Sequence, residues 1–366
     1  MADKKLKIAQ VAPTWVKVPP EKYGGAELII SHLADSLTDR GHDVTLFASG
    51  DSKTKASLDS CINIAGGIGD NALTDFNKRM RYYYTTISPL IQKQKFDLIH
   101  WHISYDLLPY FVAQIPSEVP SVVTFHNYYE GIYGHINDLL ESKPRSYNVA
   151  ISKSLTKQFP FEFAKIIYNG IDIDKVDFVE KPKEYMAWVG RFKELKGPDI
   201  AIKAADKLQK DLCLMAEPRE NDFYNKVIVP LLDQSKFAKY EGAVSQNRRN
   251  KIVGNAKLFI NPIRWEEPFG LVVPEANACG TPVIAYERGA MSEIIEDGKN
   301  GLLVKPDDFE GLLRAAEKIY QMSDQDYLQM RRDCRQLVGQ KFTTKKMVDE
   351  YEKLYQKIIA DKKQIS

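Results

Sequence analysis

Short runs of apolar, largely β-branched residues recur along the chain, and a segment of helical periodicity follows most of them. The runs lack apolar–polar alternation, which is typical of strands buried on both faces of a parallel sheet. In the first half the predicted strands are Lys7 to Pro13, Asp43 to Ser49, Phe96 to His102, Ser121 to Asn127, Tyr147 to Ser152 and Lys165 to Ile171. The predicted helices there include Gly25 to Arg40 and Thr74 to Lys95. Such alternation implies an α/β fold with right-handed crossovers.

A polar, proline-containing stretch from Asp172 to Lys183 interrupts this pattern, and we place a domain boundary there. The alternation restarts with predicted strands Tyr185 to Arg191, Leu212 to Ala216, Ala238 to Gly242, Ala256 to Pro262, Pro282 to Tyr286 and Gly301 to Val304. The last predicted helices are Asp308 to Met322, Asp324 to Val338 and Thr344 to Asp361. We therefore predict two doubly wound domains, residues 1–171 and 172–343, with a ligand cleft at the carboxyl ends of their strands.

Composition argues against several classes of protein. The 51 Lys and Arg residues nearly balance the 49 Asp and Glu residues, which disfavours a nucleic-acid-binding protein with a broad basic surface. The sequence predicts neither a signal peptide nor a transmembrane helix. The Lys-rich segment 341–363 leaves peripheral membrane contact open, although a solvated helix is the preferred interpretation. A reduced, cytoplasmic compartment is expected because the scattered cysteines lack CxxC spacing: Cys61, Cys213, Cys279 and Cys334.

The segment from Trp265 to Ala278 carries the densest chemistry. It places Glu267 and Glu275 on either side of a predicted loop-to-helix junction, where carboxylates could accept hydrogen bonds from vicinal diols. Amides at the positive end of a helix attract phosphate or sugar oxygens. The amides that the junction would expose are those of Phe269, Gly270 and Leu271. The segment thus predicts a site for a nucleotide sugar, with two solvated glutamates as the plainer alternative.

Two cations lie at the predicted carboxyl edge of the second sheet. Arg191 ends a predicted strand, and Lys196 lies in the short loop that follows it. Each charge-assisted contact to a phosphoryl group is worth roughly 1.5–3 kcal/mol, and both cations would stabilise charge on a leaving nucleoside diphosphate. The alternative is an arginine and a lysine in a solvated turn.

The first half of the chain contributes a glycine pair and three histidines. Tyr23-Gly24-Gly25-Ala26-Glu27 precedes a helix but is not a GxGxxG fingerprint, which disfavours a dehydrogenase. A phosphate could approach Gly25 closely, although tight-turn glycines are the routine explanation. His126 ends a strand and could bind a sugar hydroxyl. His100 and His102 share one strand face, but no third metal ligand is evident, so we expect no metal site.

In order and spacing, these motifs resemble those of the family 4 retaining glycosyltransferases, group 1 enzymes with a GT-B fold. The resemblance covers nearly the whole chain, through Tyr23 to Glu27, His126-Asn127, Asn169 to Asp172, Gly190-Arg191, Lys196-Gly197, Glu267 to Glu275 and Gly280 to Ile284. It implies two facing Rossmann-like domains with a deep cleft between them. It also implies that the C-terminal helix, residues 344–366, crosses back to the first domain.

The resemblance further implies a reaction and the residues for it. A hexose would move from a nucleotide-sugar donor to a hydroxyl acceptor with retention, without a metal or another cofactor. Arg191 and Lys196 would hold the diphosphate in place of magnesium, and Glu275 would bind the ribose hydroxyls. This chain has Glu-Ala-Asn-Ala from Glu275 to Ala278 where family members often have Glu-Ala-Met-Ala.

By the same resemblance, Gly25 would approach the phosphates and His126 would meet the sugar near its C6 hydroxyl. The donor sugar would be positioned by Glu267 and the amides of Phe269, Gly270 and Leu271. UDP-glucose is the preferred donor. The acceptor, a small molecule, a glycan or a lipid-linked sugar, would contact the loops Thr14 to Lys22, Gly66 to Asp75 and Tyr128 to Asp138, with Tyr128, Tyr129, Tyr133 and His135 as stacking candidates.

Two alternatives stay open at this point. One is a sugar-nucleotide-binding protein that has lost transfer, against which the full set of cations and carboxylates argues. The other is a phosphorylase or an epimerase on the same architecture, which would depend on inorganic phosphate or act without an acceptor.

Overall fold

The predicted alternation of strands and helices is present in the structure, a computed structural model that describes residues 5–22, 24–66, 73–103, 119–127, 146–217 and 221–365. The chain divides into unit 1, formed by residues 1–170 and 344–366, and unit 2, formed by residues 171–343. Several predicted positions lie outside the described residues, namely Tyr23, Tyr128, Tyr129, Tyr133, His135, the loop Tyr128 to Asp138 and most of the loop Gly66 to Asp75.

Unit 1 has a parallel sheet whose described strands run in the order β3-β2-β1-β4-β5-β6-β7. These are β1 (Lys7–Val11), β2 (Asp43–Phe47), β3 (Ser57–Asp59), β4 (Leu98–Ile103), β5 (Ser121–Phe125), β6 (Ser146–Ala150) and β7 (Lys165–Ile166). The described helices between them are α1 (Gly25–Asp39), α2 (Leu73–Gln94) and α3 (Lys153–Thr156). The predicted strands are apolar because the sheet is buried: Ile8, Leu46 and Val122 are fully buried.

Unit 2 repeats this plan with a parallel sheet in the order β10-β9-β8-β11-β12-β13. Its strands are β8 (Met186–Val189), β9 (Leu212–Met215), β10 (Ala238–Tyr240), β11 (Leu258–Asn261), β12 (Val283–Tyr286) and β13 (Gly301–Val304). Its described helices are α4 (Pro198–Leu208), α5 (Val229–Gln234), α6 (Gln246–Gly254), α7 (Val272–Ala278), α8 (Met291–Ile294), α9 (Phe309–Tyr320) and α10 (Asp324–Lys341). The strand order reverses between β8 and β11, which is where doubly wound sheets bind ligands.

The chain then returns to unit 1 as helix α11 (Thr344–Ile365), which packs against α1. Arg40, just beyond α1, donates hydrogen bonds to Asp349 and Glu352 at 2.6 Å each. Tyr351 and Tyr355 of α11 are almost fully buried. The last helix is therefore part of the core of unit 1. Among the helices in the described ranges, none combines the length and apolar character needed to cross a membrane.

A buried arginine holds α10 in unit 2. Arg331 has no exposed surface, and its guanidinium donates hydrogen bonds to the carbonyl oxygens of Val179 at 2.7 Å and Gly254 at 2.8 Å. It also donates to the Tyr327 hydroxyl at 3.0 Å. These contacts join α10 to the end of α6 and to the segment that precedes β8. Because a buried charge needs such partners, the whole arrangement depends on a guanidinium at this position.

We expect Arg331→Met to lower the free energy of unfolding of unit 2 by about 3–5 kcal/mol, because the substitution leaves several buried carbonyl groups without a hydrogen-bond donor. Arg332→Met is the matched control, since the neighbouring side chain is 56% exposed and faces Glu180 at 3.6 Å. Its loss should change stability by less than about 0.5 kcal/mol. Urea denaturation of both variants measures the difference, and equal midpoints would contradict the role given to Arg331.

Candidate active site

Two loops of unit 2 meet where the strand order reverses, one after β8 and one after β11. They touch at Gly197, which has φ 64° and lies so close to Pro262 that an added Cβ would come 2.0 Å from its carbonyl oxygen. Only glycine fits a left-handed backbone in that space. Arg264 of the second loop also binds Asp199 in α4 through two hydrogen bonds, at 3.1 and 2.7 Å. The two loops are therefore held as one rigid surface.

This surface brings together two of the predicted site residues. The ammonium group of Lys196 lies 2.5 Å from Oε2 of Glu267, and the two side chains are only 19% and 12% exposed. Trp265 completes the group, since its Nε1 donates to the same oxygen at 2.9 Å and its ring lies 4.7 Å from the lysine nitrogen. Within the described ranges, Oε1 of Glu267 accepts no hydrogen bond, so this oxygen is available to a ligand. Sequence reasoning did not assign a role to Trp265.

The backbone of Gly289 packs directly against the backbone of Glu267 and supports its loop. Gly289 has φ 59°, and a Cβ added there would lie 2.3 Å from both the backbone nitrogen and the carbonyl oxygen of Glu267. Its N–H donates to the carboxylate of Glu266 at 2.7 Å, and the N–H of Ala290 donates to the Glu267 carbonyl at 2.9 Å. Of the two adjacent glutamates, Glu266 thus anchors the loop and Glu267 faces Lys196. Sequence reasoning did not assign Gly289 a role in the site.

We expect Gly289→Ala to displace the Glu267 loop and to lower kcat/KM at least tenfold, because an alanine would overlap the backbone of Glu267. Gly298→Ala is the control, since Gly298 also has a positive φ (79°) but has no atom within 4 Å of the added Cβ. Both variants carry the backbone strain of about 1 kcal/mol, and only one carries the clash. Steady-state kinetics on folded protein, checked by circular dichroism, should separate them; equal losses would contradict the prediction.

The predicted loop-to-helix junction is present, and α7 begins at Val272. Gly270 has φ 82°, and the Phe269 ring is buried against Phe342 with ring centroids 5.9 Å apart. The backbone N–H groups of Gly270 and Leu271 donate to no acceptor in the described part of the chain. These two amides therefore suit an external oxygen ligand, and the Phe269 side chain anchors the turn.

Glu275 lies in the first turn of α7 and is paired with Arg249 of α6. Nη2 of Arg249 lies 2.9 Å from Oε1 of Glu275, and the side chains are 14% and 12% exposed. Gln246 also donates to this oxygen at 3.3 Å. Oε2 of Glu275 has no hydrogen-bond partner among the described residues. The sequence did not predict Arg249, because it lies 26 positions from Glu275 in a polar helix.

Arg191 follows the end of β8, two residues beyond Val189. Val189 lines a small pocket that Glu275 and Arg249 also line. The carboxyl end of β8 and the start of α7 therefore share one concave surface. The Lys196–Glu267 pair lies on the loops that follow β8 and β11, the two strands that flank the reversal of strand order.

In unit 1 the glycine pair begins α1. Gly24 has φ 147°, and Gly25 is the first residue of the helix. The carboxyl group of Glu27 folds back over this turn, because a Cβ added at Gly24 would lie 2.9 Å from its Oε2. Glu27 is buried, and burial raises the pKa of its carboxyl group to about 7.

The three predicted histidines form a buried row at the carboxyl ends of β4 and β5. The rings of His100 and His102 have centroids 4.1 Å apart, and those of His102 and His126 stack at 5.4 Å. Burial lowers the pKa of His126 to about 4 and the pKa values of the other two well below the usual 6.5. All three rings are therefore neutral near pH 7. Each ring is hydrogen-bonded to a protein group. A neutral imidazole also keeps one nitrogen that accepts a hydrogen bond, which suits contact with a ligand hydroxyl.

We expect the free energy of unfolding to fall by about 2–3 kcal/mol per pH unit near pH 5.5 as the solution is acidified. Below pH 6.5 the unfolded chain protonates three histidines that the folded chain keeps neutral, so their contribution to stability is lost as pH falls. Glu27 has the opposite effect, because its raised pKa lets the folded chain bind one proton that the unfolded chain does not bind at this pH. Urea denaturation from pH 7 to 5.5 measures the slope. His126→Gln should reduce it by about 1.4 kcal/mol per pH unit, and a flat profile would contradict the neutral histidine row.

Solved structures identify the class of fold. The chain is similar to sucrose-phosphate synthase from Thermosynechococcus elongatus, with 19% identity, a TM-score of 0.79, and 98% of this chain and 100% of that chain covered. It is also similar to Anabaena HepE in complex with UDP-glucose, with 18% identity, a TM-score of 0.71 and coverage of 99% and 100%. With its two parallel sheets, the protein has the two-domain, Rossmann-like GT-B fold of glycosyltransferases, as predicted.

Family models identify the chain more closely. Residues 171–337 match the model described as glycosyl transferases group 1, and residues 23–175 match the model described as glycosyltransferase family 4. An uncharacterized glycosyltransferase of Methanocaldococcus jannaschii is 25% identical over 354 residues, which cover 86% of this chain and 89% of the relative. The chain belongs to the family 4-type, group 1 glycosyltransferases. The predicted family is therefore confirmed, and the protein is a glycosyltransferase.

Proposed function

We propose that the protein transfers a hexose from a nucleotide-sugar donor to a hydroxyl acceptor, with retention at the anomeric carbon and without a metal ion. The contact of Lys196 with Glu267 at the switch point of unit 2 carries this proposal, because it places a cation for phosphate beside a carboxylate for sugar hydroxyls. UDP-glucose is the preferred donor, and the complex of HepE with UDP-glucose supports that choice by similarity of fold.

The donor diphosphate is held by Arg191 and Lys196 in this proposal. Their charges take up the negative charge that develops as the nucleoside diphosphate leaves, the task that a divalent cation performs in other enzymes. Glu267 holds the ammonium group at the floor of the site through Oε2, while its Oε1 accepts a hydrogen bond from the sugar. One carboxylate therefore orients both the phosphate-binding group and the hexose.

The remaining donor contacts divide into nucleoside and sugar groups. Glu275 binds the ribose hydroxyls through Oε2, while Arg249 orients the carboxylate through Oε1. The amides of Gly270 and Leu271 bind the donor sugar in this proposal, and the buried Phe269 ring anchors their turn. In unit 1, Gly25 approaches a phosphate and His126 binds the sugar near its C6 hydroxyl.

Retention follows when the acceptor attacks from the face that the diphosphate leaves. None of the candidate carboxylates is assigned as a nucleophile, and we propose no covalent sugar intermediate. The leaving phosphate can take the acceptor proton as the bond to the anomeric carbon breaks. The task of the protein is to neutralise charge and to position the two sugars. The acceptor is a small molecule, a glycan or a lipid-linked sugar.

We expect Arg191→Ala and Lys196→Ala each to lower kcat by about 10² or more, on the scale of losing one preorganised contact to developing charge. Lys193→Ala is the matched control, because this exposed lysine lies in the same turn and is assigned no donor contact. Its kcat should stay within about twofold of the unchanged protein.

The measurement is release of nucleoside diphosphate from UDP-glucose and other nucleotide sugars, with and without candidate acceptors. A thermal-shift screen identifies the donor first, since a ligand at 100-fold its Kd adds about 2.7 kcal/mol of stability. Near-normal turnover in both alanine variants would reject the diphosphate clamp. Donor binding without transfer to any acceptor would favour a binding protein instead.

A further inference from the structure

A continuous series of hydrogen bonds links His126 in unit 1 to the C-terminal helix. All seven side chains in it are at most 6% exposed. The contacts are His126 Nε2 to His102 Nδ1 (3.1 Å), His102 Nε2 to Gln10 Oε1 (2.7 Å), Gln10 Nε2 to Tyr355 Oη (3.2 Å), Tyr355 Oη to His100 Nδ1 (2.5 Å), His100 Nε2 to Thr124 Oγ1 (2.7 Å) and Thr124 Oγ1 to Tyr351 Oη (2.9 Å).

Gln10 gives this series its direction, because an amide has one end that only accepts and one that only donates. Its Oε1 faces His102, so Nε2 of His102 must carry a proton and donate it. A neutral imidazole has one N–H, which leaves Nδ1 of His102 as an acceptor. Nε2 of His126 must then be the donor in the contact between the two rings.

The other half of the series agrees with this direction. The Gln10 amide donates to the Tyr355 oxygen, so the Tyr355 hydroxyl proton is free to point at Nδ1 of His100. Nε2 of His100 then donates to Thr124, whose hydroxyl donates to Tyr351. Each of the five members between His126 and Tyr351 gives one proton and receives one, without a charged group. A buried network of this kind stabilises a single proton arrangement.

We propose that Gln10 and His102 are positioning residues that hold His126 as the tautomer with Nε2–H and a bare Nδ1, so that the donor sugar must offer a hydroxyl proton to Nδ1. This inference rests on the proposed function, which assigns the contact near the C6 hydroxyl to His126. It selects hexoses that keep a free hydroxyl at this position. It rejects uronic acids, since a carboxylate would meet a second acceptor, and 6-deoxy sugars, which offer no proton.

The tautomer is tested first on the unchanged, ligand-free protein. Ring-nitrogen NMR of the full chain labelled with ¹⁵N-histidine at pH 7 distinguishes protonated from bare nitrogens, and His126→Gln assigns the signal. We expect a protonated Nε2 and a bare Nδ1 on His126. The reverse assignment, Nδ1–H with a bare Nε2, would mean that the whole series runs in the opposite direction, and it would overturn the proposal.

Two substitutions at one position then test the positioning role. Gln10→Leu removes the acceptor for His102 and should give His126 signals of both tautomers. Gln10→Glu places a carboxylate beside His102 and favours its doubly protonated ring, whose Nδ1 then donates, so His126 should change to the tautomer with a bare Nε2. If Gln10→Leu leaves the spectrum of His126 unchanged in a folded protein, Gln10 does not set the tautomer. Should Gln10→Leu fail to fold, the spectrum of the unchanged protein still decides the direction.

Donor analogues test the consequence for substrate choice. With UDP-glucose as the reference, the 6-deoxy and 6-fluoro analogues should both lose about tenfold to a hundredfold in kcat/KM, since neither donates a proton and a buried acceptor is left unpaired. UDP-glucuronate should lose at least as much. A 6-fluoro analogue that keeps most of the activity lost by the 6-deoxy analogue would show that His126 donates, which contradicts the proposal.

Failure of the proposed function gives a different pattern. If UDP-glucose and other nucleotide hexoses neither bind nor react, the assigned donor contact of His126 is wrong, whatever the spectrum shows. If the donor reacts but His126 carries its proton on Nδ1, the proposed function stands and the inferred tautomer is wrong.

Discussion

The contact between Gly197 and the Pro262 carbonyl is the constraint on which the site in unit 2 depends. Any side chain at Gly197 would separate the loops after β8 and β11, and only their contact lets Lys196 reach Glu267 across 71 positions of sequence. Gly289 applies the same kind of constraint to the backbone of Glu267 itself. Steric fit between backbone segments therefore fixes a polar site whose largely buried ion pair contributes little net stability, because desolvation offsets its attraction.

Unit 1 uses a different means of preorganisation. Its histidine row is buried and neutral. His102 donates to Gln10, Tyr355 donates to His100, and His100 is linked through Thr124 to Tyr351, so these contacts orient the rings. The candidate site residues of the two units therefore differ in charge. Unit 2 carries the formal charges of Lys196, Glu267 and the Arg249–Glu275 pair, whereas the row in unit 1 carries dipoles.

The sequence predicted much of the fold, because buried parallel strands are apolar throughout and the helices between them are long. It missed β3, a three-residue edge strand that is largely exposed, and it extended β7 to Ile171 where regular pairing ends at Ile166. Motifs within one loop were also accessible to sequence reasoning. The pairing of Lys196 with Glu267, and of Arg249 with Glu275, was not, because it depends on which loops the tertiary structure brings together.

The return of α11 to unit 1 has a consequence for biosynthesis. Tyr351 and Tyr355 are synthesised after the whole of unit 2, yet they satisfy polar groups at the centre of the first sheet. Unit 2 is one continuous segment and can finish folding earlier, whereas unit 1 waits with His100 and Gln10 short of their tyrosine partners. Since domains generally fold as units during synthesis, unit 1 is completed after unit 2. A chain that stops before α11 lacks a finished core in unit 1.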